Sequence, residues 1–85
     1  MKFAVEFSTR AEKDLKSIDK VITKRVLEKI SLLAENPFLR GAIKLKGEGS
    51  LFRARVGKYR ILYEVHHENK IILIVKVDKR ERVYD

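Results

Sequence analysis

Residues 51–65 read LFRARVGKYRILYEV, with apolar or aromatic side chains at every second position on both sides of a central Gly57-Lys58 pair. Glycine at the first position of a two-residue loop predicts a β-hairpin closed by a type II′ turn. Such a loop fixes the register and places Arg55 opposite Arg60. Opposed residues share a face, so one face of the hairpin is predicted to be apolar. Its members are Phe52, Ala54, Val56, Tyr59, Ile61, Tyr63 and Val65.

The other face of the hairpin collects three arginines, Arg53, Arg55 and Arg60. Like charges that stand opposite each other destabilise a sheet by about 0.2–1 kcal/mol, so folding stability does not account for this pattern. A bound polyanion would account for it. The alternative is a solvated face on which the guanidinium groups extend into water, and the pattern alone leaves both interpretations open.

Composition narrows the class of protein. The chain has 85 residues, enough for one core, and we expect a single domain over residues 1–85. A formal net charge of +8, from 20 Lys and Arg against 12 Asp and Glu, favours a nucleic acid or an acidic protein as partner. The lack of cysteine excludes a disulfide framework. The charged start MKFAVEFSTR is unlike a signal peptide and the apolar run 71–75 is too short to span a bilayer, so we expect a cytoplasmic protein.

The first part of the chain is predicted to form a strand and two helices. Residues 2–7 alternate with the period of a half-buried strand. Thr9 and Glu12 have the spacing of a capping box, which predicts a first helix with Thr9 as its N-cap. A second helix is predicted over about residues 20–35, ended by the Asn-Pro pair at 36–37. The inward side chains are expected to be Phe3, Val5 and Phe7 in the strand, Ala11, Leu15 and Ile18 in the first helix, and Ile22, Val26, Ile30 and Leu33, widened by Leu27 and Ala34, in the second.

The remaining segments are predicted to complete a sheet. Residues 42–46 form a short edge strand, and a three-residue loop at 67–69, with Asn69 in the left-handed conformation, pairs Val65 with Ile71. The inward side chains are expected to be Ile43 and Leu45 in the edge strand, with Lys44 and Lys46 outward, and Ile71, Leu73, Val75 and Val77 in the last strand. The outward side chains of the last strand, on the arginine face, are expected to be Lys76, Asp78 and Arg80. The predicted class is α+β, with an N-terminal strand, an αα-hairpin and a three- to four-stranded antiparallel sheet packed on the two helices.

Basic side chains are predicted to converge on the outer face of this sheet. Arg80 joins the hairpin arginines there, and four lysines are expected nearby: Lys44, Lys46, Lys76 and Lys79. Guanidinium groups bind phosphate oxygens in pairs, and several together can stabilise the added charge of a pentacoordinate phosphorane. Tyr84 can stack on a base or move a proton, although a tyrosine that covers an apolar edge is an equal alternative. His66 and His67 lack acidic or cysteine neighbours at ligand spacing, so no metal site is predicted.

The residues resemble a known family. The order β-α-α-β-β-β, with LKG at 45–47, FRARVGKYRILYEV at 52–65 and KRERVY at 79–84, resembles the RelE/ParE superfamily of toxin–antitoxin toxins, and within it the RelE branch. The resemblance covers nearly the whole chain and implies a RelE-like fold. It implies a ribosome-dependent mRNA endoribonuclease that cuts in the ribosomal A site by 2′-hydroxyl attack on the adjacent phosphate, without metal or cofactor, and so inhibits translation. The implied partners are an acidic RelB-like antitoxin, the ribosome and mRNA.

Carried over by position, the resemblance implies catalytic roles for Arg53, Arg55, Arg60, Arg80 and Tyr84, and RNA binding by Arg82 beside the lysines. Well-studied relatives have lysine at the first two of these positions, and arginine stays protonated. The general base therefore stays open between Tyr84, a lysine and the ribosome. ParE-like toxins share the fold but poison DNA gyrase, generally without the arginine and tyrosine set. The alternatives are thus a ParE-like gyrase inhibitor or a non-catalytic basic RNA-binding domain.

Overall fold

The computed structural model describes residues 2–39, 41–45 and 51–79. Within these ranges the chain forms β1 (Ala4–Phe7), α1 (Thr9–Ser17), α2 (Lys20–Glu35), β2 (Ile43–Lys44), β3 (Leu51–Val56), β4 (Tyr59–His66) and β5 (Ile71–Lys79). The strands make one sheet in the order β1-β5-β4-β3-β2, in which β1 is parallel to β5 and the other neighbours are antiparallel. The predicted α+β class is confirmed. The sheet has five strands rather than three or four, because β1 joins it beside β5.

The central hairpin has the predicted register. Val56 lies opposite Tyr59 and Arg55 lies opposite Arg60. Gly57 has a φ of +59°, and the adjoining Lys58 stays outside the left-handed region, as a type II′ turn requires. The turn therefore sets which side chains of β3 and β4 face the helices and which face away from them.

The core lies between the two helices and the apolar face of the sheet. α1 packs mainly on β5, and α2 packs on β3. The fully or nearly fully buried members of this core are Ala11, Val26, Ile30 and Leu33 from the helices, and Ala54, Ile61, Tyr63, Val65, Ile72, Ile74 and Val77 from the sheet. Burying a large aliphatic side chain of this kind stabilises the fold by about 1.5–3 kcal/mol. The helix-facing stripes are thus confirmed except at Leu27, which is 42% exposed.

The start of α1 differs from the prediction. Ser8, not Thr9, is the N-cap, and its Oγ accepts a hydrogen bond from the Ala11 N–H at 2.9 Å. The capping box is therefore wrong, because the third helical position holds alanine rather than Glu12. The Ser8 hydroxyl also donates to the Val75 carbonyl at 2.6 Å, which ties the helix to β5.

α1 satisfies a second backbone group of β5. β1 ends at Phe7, whose partner in the parallel ladder is Ile74. Beyond that point the Val77 N–H donates to the Asp14 carboxylate of α1 at 2.9 Å. The helix therefore continues, with side chains, the hydrogen bonding that β1 provides with its backbone.

The register of β5 against β4 also differs from the prediction. The turn at 67–70 has its left-handed residue at Lys70 (φ +56°) rather than Asn69, and Val65 pairs with Ile72 rather than Ile71. Ile71, Leu73 and Val75 are therefore not the core residues of this strand. A bulge opposite Leu62 and Tyr63 then shifts the pairing by one residue, since an extra residue in one strand reverses the alternation. After the bulge, Val77 is buried, and Lys76 and Asp78 lie on the outer face of the sheet, as predicted.

The edge strand β2 is shorter than predicted and its faces are reversed. Ile43 pairs with Arg53, on the outer face, and Lys44 pairs with Phe52, on the helix side. Ile43 is 48% exposed, whereas Ala42 packs against the core just before the strand. Because β2 has only two residues, its alternation is too short to fix which face turns inward. Neither helix in the described ranges is long and apolar enough to cross a membrane.

Candidate nucleic-acid interface

The hairpin strands carry Arg53, Arg55 and Arg60 to the outer face of the sheet, away from the helices, as predicted. The alternation of β3 and β4 requires this placement, because their inward neighbours Ala54 and Ile61 are buried. Arg55 is exposed, whereas Arg53 and Arg60 are half-buried among neighbouring side chains. The three guanidinium groups therefore belong to one surface near the turn of the hairpin.

The next strand contributes a carboxylate to this surface. Asp78 of β5 lies opposite Arg60. Arg60 donates to it through two nitrogens, with Nε 3.2 Å from Oδ1 and Nη2 3.3 Å from Oδ2. This paired contact offsets the repulsion between Arg60 and Arg55. Sequence reasoning placed Asp78 on the correct face but gave it no role, because the predicted register put Lys76 rather than Asp78 opposite Arg60.

The predicted lysines divide between the two sides of the sheet. Lys76 lies on the outer face, where its Nζ is 3.4 Å from Oδ2 of Asp78. Lys44 and Lys79 do not join it, because their pairing partners Phe52 and Tyr59 belong to the helix side. The predictions for Lys46, Arg80, Arg82 and Tyr84 fall outside the described residues.

α2 adds basic residues that sequence reasoning missed. A groove of about 290 Å³ runs between α2 and the turn of the hairpin. Its lining includes the basic side chains Arg25, Lys29 and Arg55, together with Leu32 and the acidic side chain Glu28. Within the described ranges Arg25, Lys29 and Arg55 form no ion pair. Positive charge therefore continues from the outer face around the hairpin turn. In the sequence, Arg25 and Lys29 are recognisable only as members of the polar stripe of α2. That stripe does not indicate which part of the sheet lies next to it.

A second groove, of about 580 Å³, lies between the two helices on the far side of the molecule. Leu15, Ile18 and Leu27 make its apolar wall. Its rim carries three lysines: Lys16, Lys20 and Lys24. Leu27, predicted to face the core, lines this groove instead.

The two histidines have structural partners. Nε2 of His66 lies 2.8 Å from Oε1 of Glu64 on the outer face. The His67 ring stacks on Phe38 with centroids 5.8 Å apart and meets the edge of Phe3 at 6.3 Å. No group of three His, Cys, Asp or Glu close enough to hold a metal ion occurs in the described part of the chain.

Tyr63 anchors the sheet beneath this surface. Its hydroxyl donates to the Pro37 carbonyl at 2.7 Å, and its side chain is buried. Burial raises the pKa of Tyr63 to about 12, because the phenolate would lose its hydration. This tyrosine is therefore a structural residue, neutral at physiological pH.

The arginines of this surface are groups that bind anions. Arginine remains protonated at physiological pH and holds two oxygens of a phosphate with one planar group. Several such groups on one face can neutralise consecutive phosphates of a nucleic acid. The arrangement suits binding of a phosphodiester and stabilisation of extra negative charge on it.

Comparison with known proteins agrees with this geometry. The sequence profile of the family described as "ParE toxin of type II toxin-antitoxin system, parDE" matches residues 5–84. RelE1 of Methanocaldococcus jannaschii is 38% identical over 87 aligned residues, covering 99% of this chain and 97% of that protein. The mRNA interferase toxin RelE of Escherichia coli is 26% identical over 84 residues, covering 96% and 87%. The crystal structure of the archaeal RelE–RelB complex from Pyrococcus horikoshii OT3 superimposes with a TM-score of 0.85 at 36% identity, covering 98% of this chain and 100% of that chain. The chain therefore belongs to the RelE/ParE superfamily of toxins from type II toxin–antitoxin systems.

Proposed function

We propose that this toxin is a ribosome-dependent mRNA endoribonuclease of the RelE type that cuts mRNA in the ribosomal A site and thereby inhibits translation. The observation that carries the proposal is the cluster of Arg53, Arg55 and Arg60 on one open sheet face. A relative from Escherichia coli that is named an mRNA interferase supports the same reaction.

The proposed reaction is attack of a ribose 2′-oxygen on the neighbouring phosphorus. The 2′-hydroxyl proton passes to a base, the new O–P bond forms, and the bond from phosphorus to the 5′-oxygen breaks as that oxygen takes up a proton from solvent, which leaves a 2′,3′-cyclic phosphate and a 5′-hydroxyl. Arg60 and Arg80 are assigned to the phosphorane, whose charge exceeds that of the ground state. Arg53 and Arg55 are assigned to the phosphates of the bound strand.

We assign the general base to Tyr84. Lys76 is a weaker candidate because Asp78 holds its ammonium group, and Lys44 lies on the helix side of the sheet. A phenol has a reference pKa of about 10, and neighbouring cations lower such a value. Arg80 and Arg82 are close to Tyr84 in sequence and are the cations we assign to this task.

RNA binding is assigned to the charged surroundings of this face. Lys46, Lys76 and Arg82 continue the basic surface in the proposal, whereas Lys44 and Lys79 lie on the helix side and are given no part in it. No metal or other cofactor is needed in the proposed reaction. The chain would act in the cytoplasm, where its ribosomal target is found.

We also propose that an acidic, RelB-like antitoxin neutralises this surface. The solved archaeal relative is a complex of RelE with RelB, and the net charge of +8 favours an acidic partner. Binding of this antitoxin should therefore weaken as salt is added, because screening acts on the attraction between opposite charges.

A second candidate, inhibition of DNA gyrase, is favoured by the description of the matching family, which names ParE. The arginine cluster favours RNA cleavage over it. A basic domain that binds RNA without cutting it is the remaining alternative, since holding a phosphate and cleaving next to it use the same cations.

One experiment separates these functions. Purified toxin is added to a cell-free translation reaction, and the 5′ ends of the mRNA are mapped, beside the same mRNA without ribosomes and a gyrase supercoiling assay. The proposal predicts cuts at A-site codons only when ribosomes are present, because the chain must borrow the alignment of its substrate. Efficient cutting of naked mRNA, or loss of supercoiling activity without any cut, would contradict it.

A further inference from the structure

Asp78 presents a problem for a surface that binds phosphate. It lies on the arginine face, and its side chain is 24% exposed. A carboxylate near a phosphodiester repels it, so Asp78 by itself lowers the affinity of this face for RNA. Another acid of the same face, Glu64, lies farther along β4 and contacts His66. The position of Asp78 beside Arg60 therefore calls for a separate explanation.

The contact between the two side chains restricts Arg60. Arginine has four side-chain torsions, and an unrestrained guanidinium group near solvent samples many orientations. Here Nε and Nη2 both donate to Asp78, at 3.2 and 3.3 Å, so the plane of the guanidinium group is fixed to the plane of the carboxylate. Both partners are less than one third exposed, which limits the competition of water for these bonds.

The contact still leaves donors of Arg60 available. A guanidinium group has five N–H bonds, and the pair with Asp78 uses one on Nε and one on Nη2. Three N–H bonds remain, and two of them, on Nη1 and Nη2, form the terminal edge that binds two phosphate oxygens at once. Asp78 thus restrains one edge of the group without occupying the edge that suits a phosphate.

The backbone and a second cation hold Asp78 in turn. Lys76 Nζ lies 3.4 Å from Oδ2 of Asp78, so two cations share one carboxylate and the group of three keeps a net positive charge. The preceding residue, Val77, is buried and donates its N–H to Asp14 of α1. The restraint on Arg60 therefore reaches back to the packed side of the sheet.

We propose that Asp78 is a positioning residue, which fixes the guanidinium group of Arg60 for the scissile phosphate and lowers the affinity for RNA in exchange for a faster chemical step. The proposal rests on the proposed RNA cleavage and concerns a residue that does not itself touch the reacting atoms. It predicts opposite effects on binding and on rate when Asp78 is neutralised, which a merely structural ion pair does not.

The test compares Asp78→Asn and Asp78→Ala with Glu64→Gln, a matched control that removes one negative charge from the same face. Toxin is bound to ribosomes programmed with mRNA, and affinity and single-turnover cleavage are measured separately. Both Asp78 variants should bind more tightly than wild type, and should cut about 10- to 100-fold more slowly, the scale of a small misplacement of a reacting group. Glu64→Gln should cut at the wild-type rate.

A double-variant comparison shows whether Asp78 acts through Arg60. Arg60→Ala with Asp78→Asn should cut no more slowly than Arg60→Ala alone, because the residue to be positioned is already absent. Asp78 variants that cut at the wild-type rate, or a further loss in the Arg60→Ala background equal to that in wild type, would overturn the proposal.

A second measurement does not need activity. The order parameter of the Arg60 Nε–H bond, from ¹⁵N relaxation of the free toxin, should fall in Asp78→Asn and Asp78→Ala and stay unchanged in Glu64→Gln. If wild-type toxin cuts no mRNA on ribosomes, the proposed function fails, and this measurement still decides whether Asp78 orients Arg60. An unchanged order parameter in both Asp78 variants would overturn the positioning role itself.

Discussion

Arg55 and Arg60 face each other directly across the β3–β4 hairpin. Two arginines in such a position repel, and the sheet tolerates them because Asp78 neutralises Arg60 from the other side. Arg55 has no ion pair within the described residues. The two arginines therefore differ in what their removal does, although they are neighbours on one face.

Arg60→Ala should separate chemistry from folding. We expect the single-turnover cleavage rate on bound ribosomes to fall by about 10²–10³, because a donor to the developing charge is lost. Ribosome affinity should fall much less. The free energy of unfolding should change by less than about 1 kcal/mol, since the lost contact with Asp78 and the relieved repulsion by Arg55 oppose each other.

Lys13→Ala is the control for Arg60→Ala, because it removes the same charge from an exposed position on α1. Urea unfolding gives the stability of each variant. A large loss of stability in Arg60→Ala would show that this arginine is a structural residue, and the catalytic assignment would then be wrong.

Tyr84→Phe tests whether the hydroxyl of Tyr84 is the general base. This change keeps the ring and removes the hydroxyl, so binding should stay nearly unchanged while cleavage on bound ribosomes slows by about 10²-fold or more. Tyr84→Ala is measured beside it. Wild-type cleavage by Tyr84→Phe combined with slow cleavage by Tyr84→Ala would mean that the ring only stacks on a base, and the proton acceptor would have to be sought among the lysines or on the ribosome.

Arg25→Ala with Lys29→Ala tests the groove beside the hairpin turn. Each cation that contacts a phosphate contributes about one unit to the slope of log affinity against log salt. We expect this double variant to lower the magnitude of that slope for ribosome binding by about 2, with an unchanged cleavage rate once bound. The matched control is Lys13→Ala with Lys16→Ala on α1, which has the same charge change and should leave the slope nearly as in wild type. Equal slopes for the two double variants would count against RNA contacts in this groove.

The burial of Tyr63 leads us to expect that the folded protein loses stability at alkaline pH. Burial raises its pKa from 10.0 to about 12 in the folded chain. Folding favours the neutral form of the Tyr63 side chain. The stabilisation of the fold by this effect is therefore complete below pH 10 and is lost as the pH rises through 12. Between pH 9 and pH 11.5 we expect wild type to lose about 2 kcal/mol more unfolding free energy than Tyr63→Phe, which cannot ionise there. Parallel loss in the two proteins would contradict the burial effect. At neutral pH, Tyr63→Phe should itself cost about 1 kcal/mol, because the Pro37 carbonyl loses its donor.

The hairpin and the helices could be predicted because their signals are local. The alternation in residues 51–65 and the glycine at position 57 determine the faces and the register together. The second helix has the predicted bounds, with Asp19 as its N-cap and Asn36 at its end. In both elements, the residue that caps the helix or forms the turn lies within a few positions of the apolar residues that define the periodic pattern.

The register of β5 could not be predicted from such signals. A turn of three residues and one of four both fit the segment before Ile71, and they differ by one position in the side of every following residue. The bulge opposite Leu62 and Tyr63 then shifts the pairing by one residue, so that the residues after it lie on the predicted sides although the residues before it do not. No residue type marks this bulge in the sequence. Lys76 and Asp78 were therefore placed on the correct face although the pairing that led to them was wrong.

The candidate site could be predicted only where its residues lie on the hairpin. Arg53, Arg55 and Arg60 follow from the hairpin alone, whereas the groove residues Arg25 and Lys29 approach it only through the packing of α2 on β3. Lys44 was placed on the wrong side because two residues of strand carry too little alternation. Charge pairing between β4 and β5 likewise depends on a register that only the folded chain defines.

The contacts of Ser8 and Asp14 with β5 have a genetic consequence. Ser8 caps α1 and Asp14 lies within it, yet these side chains bond to Val75 and Val77, the two neighbours of Lys76 in β5. A toxin gene without its antitoxin is under selection for alleles that let the host survive. On the proposed function, we expect such alleles at codons 8 and 14 as well as at the arginine codons, because a shift of β5 would move Asp78 relative to Arg60. We therefore expect alleles that spare the host and still retain every arginine.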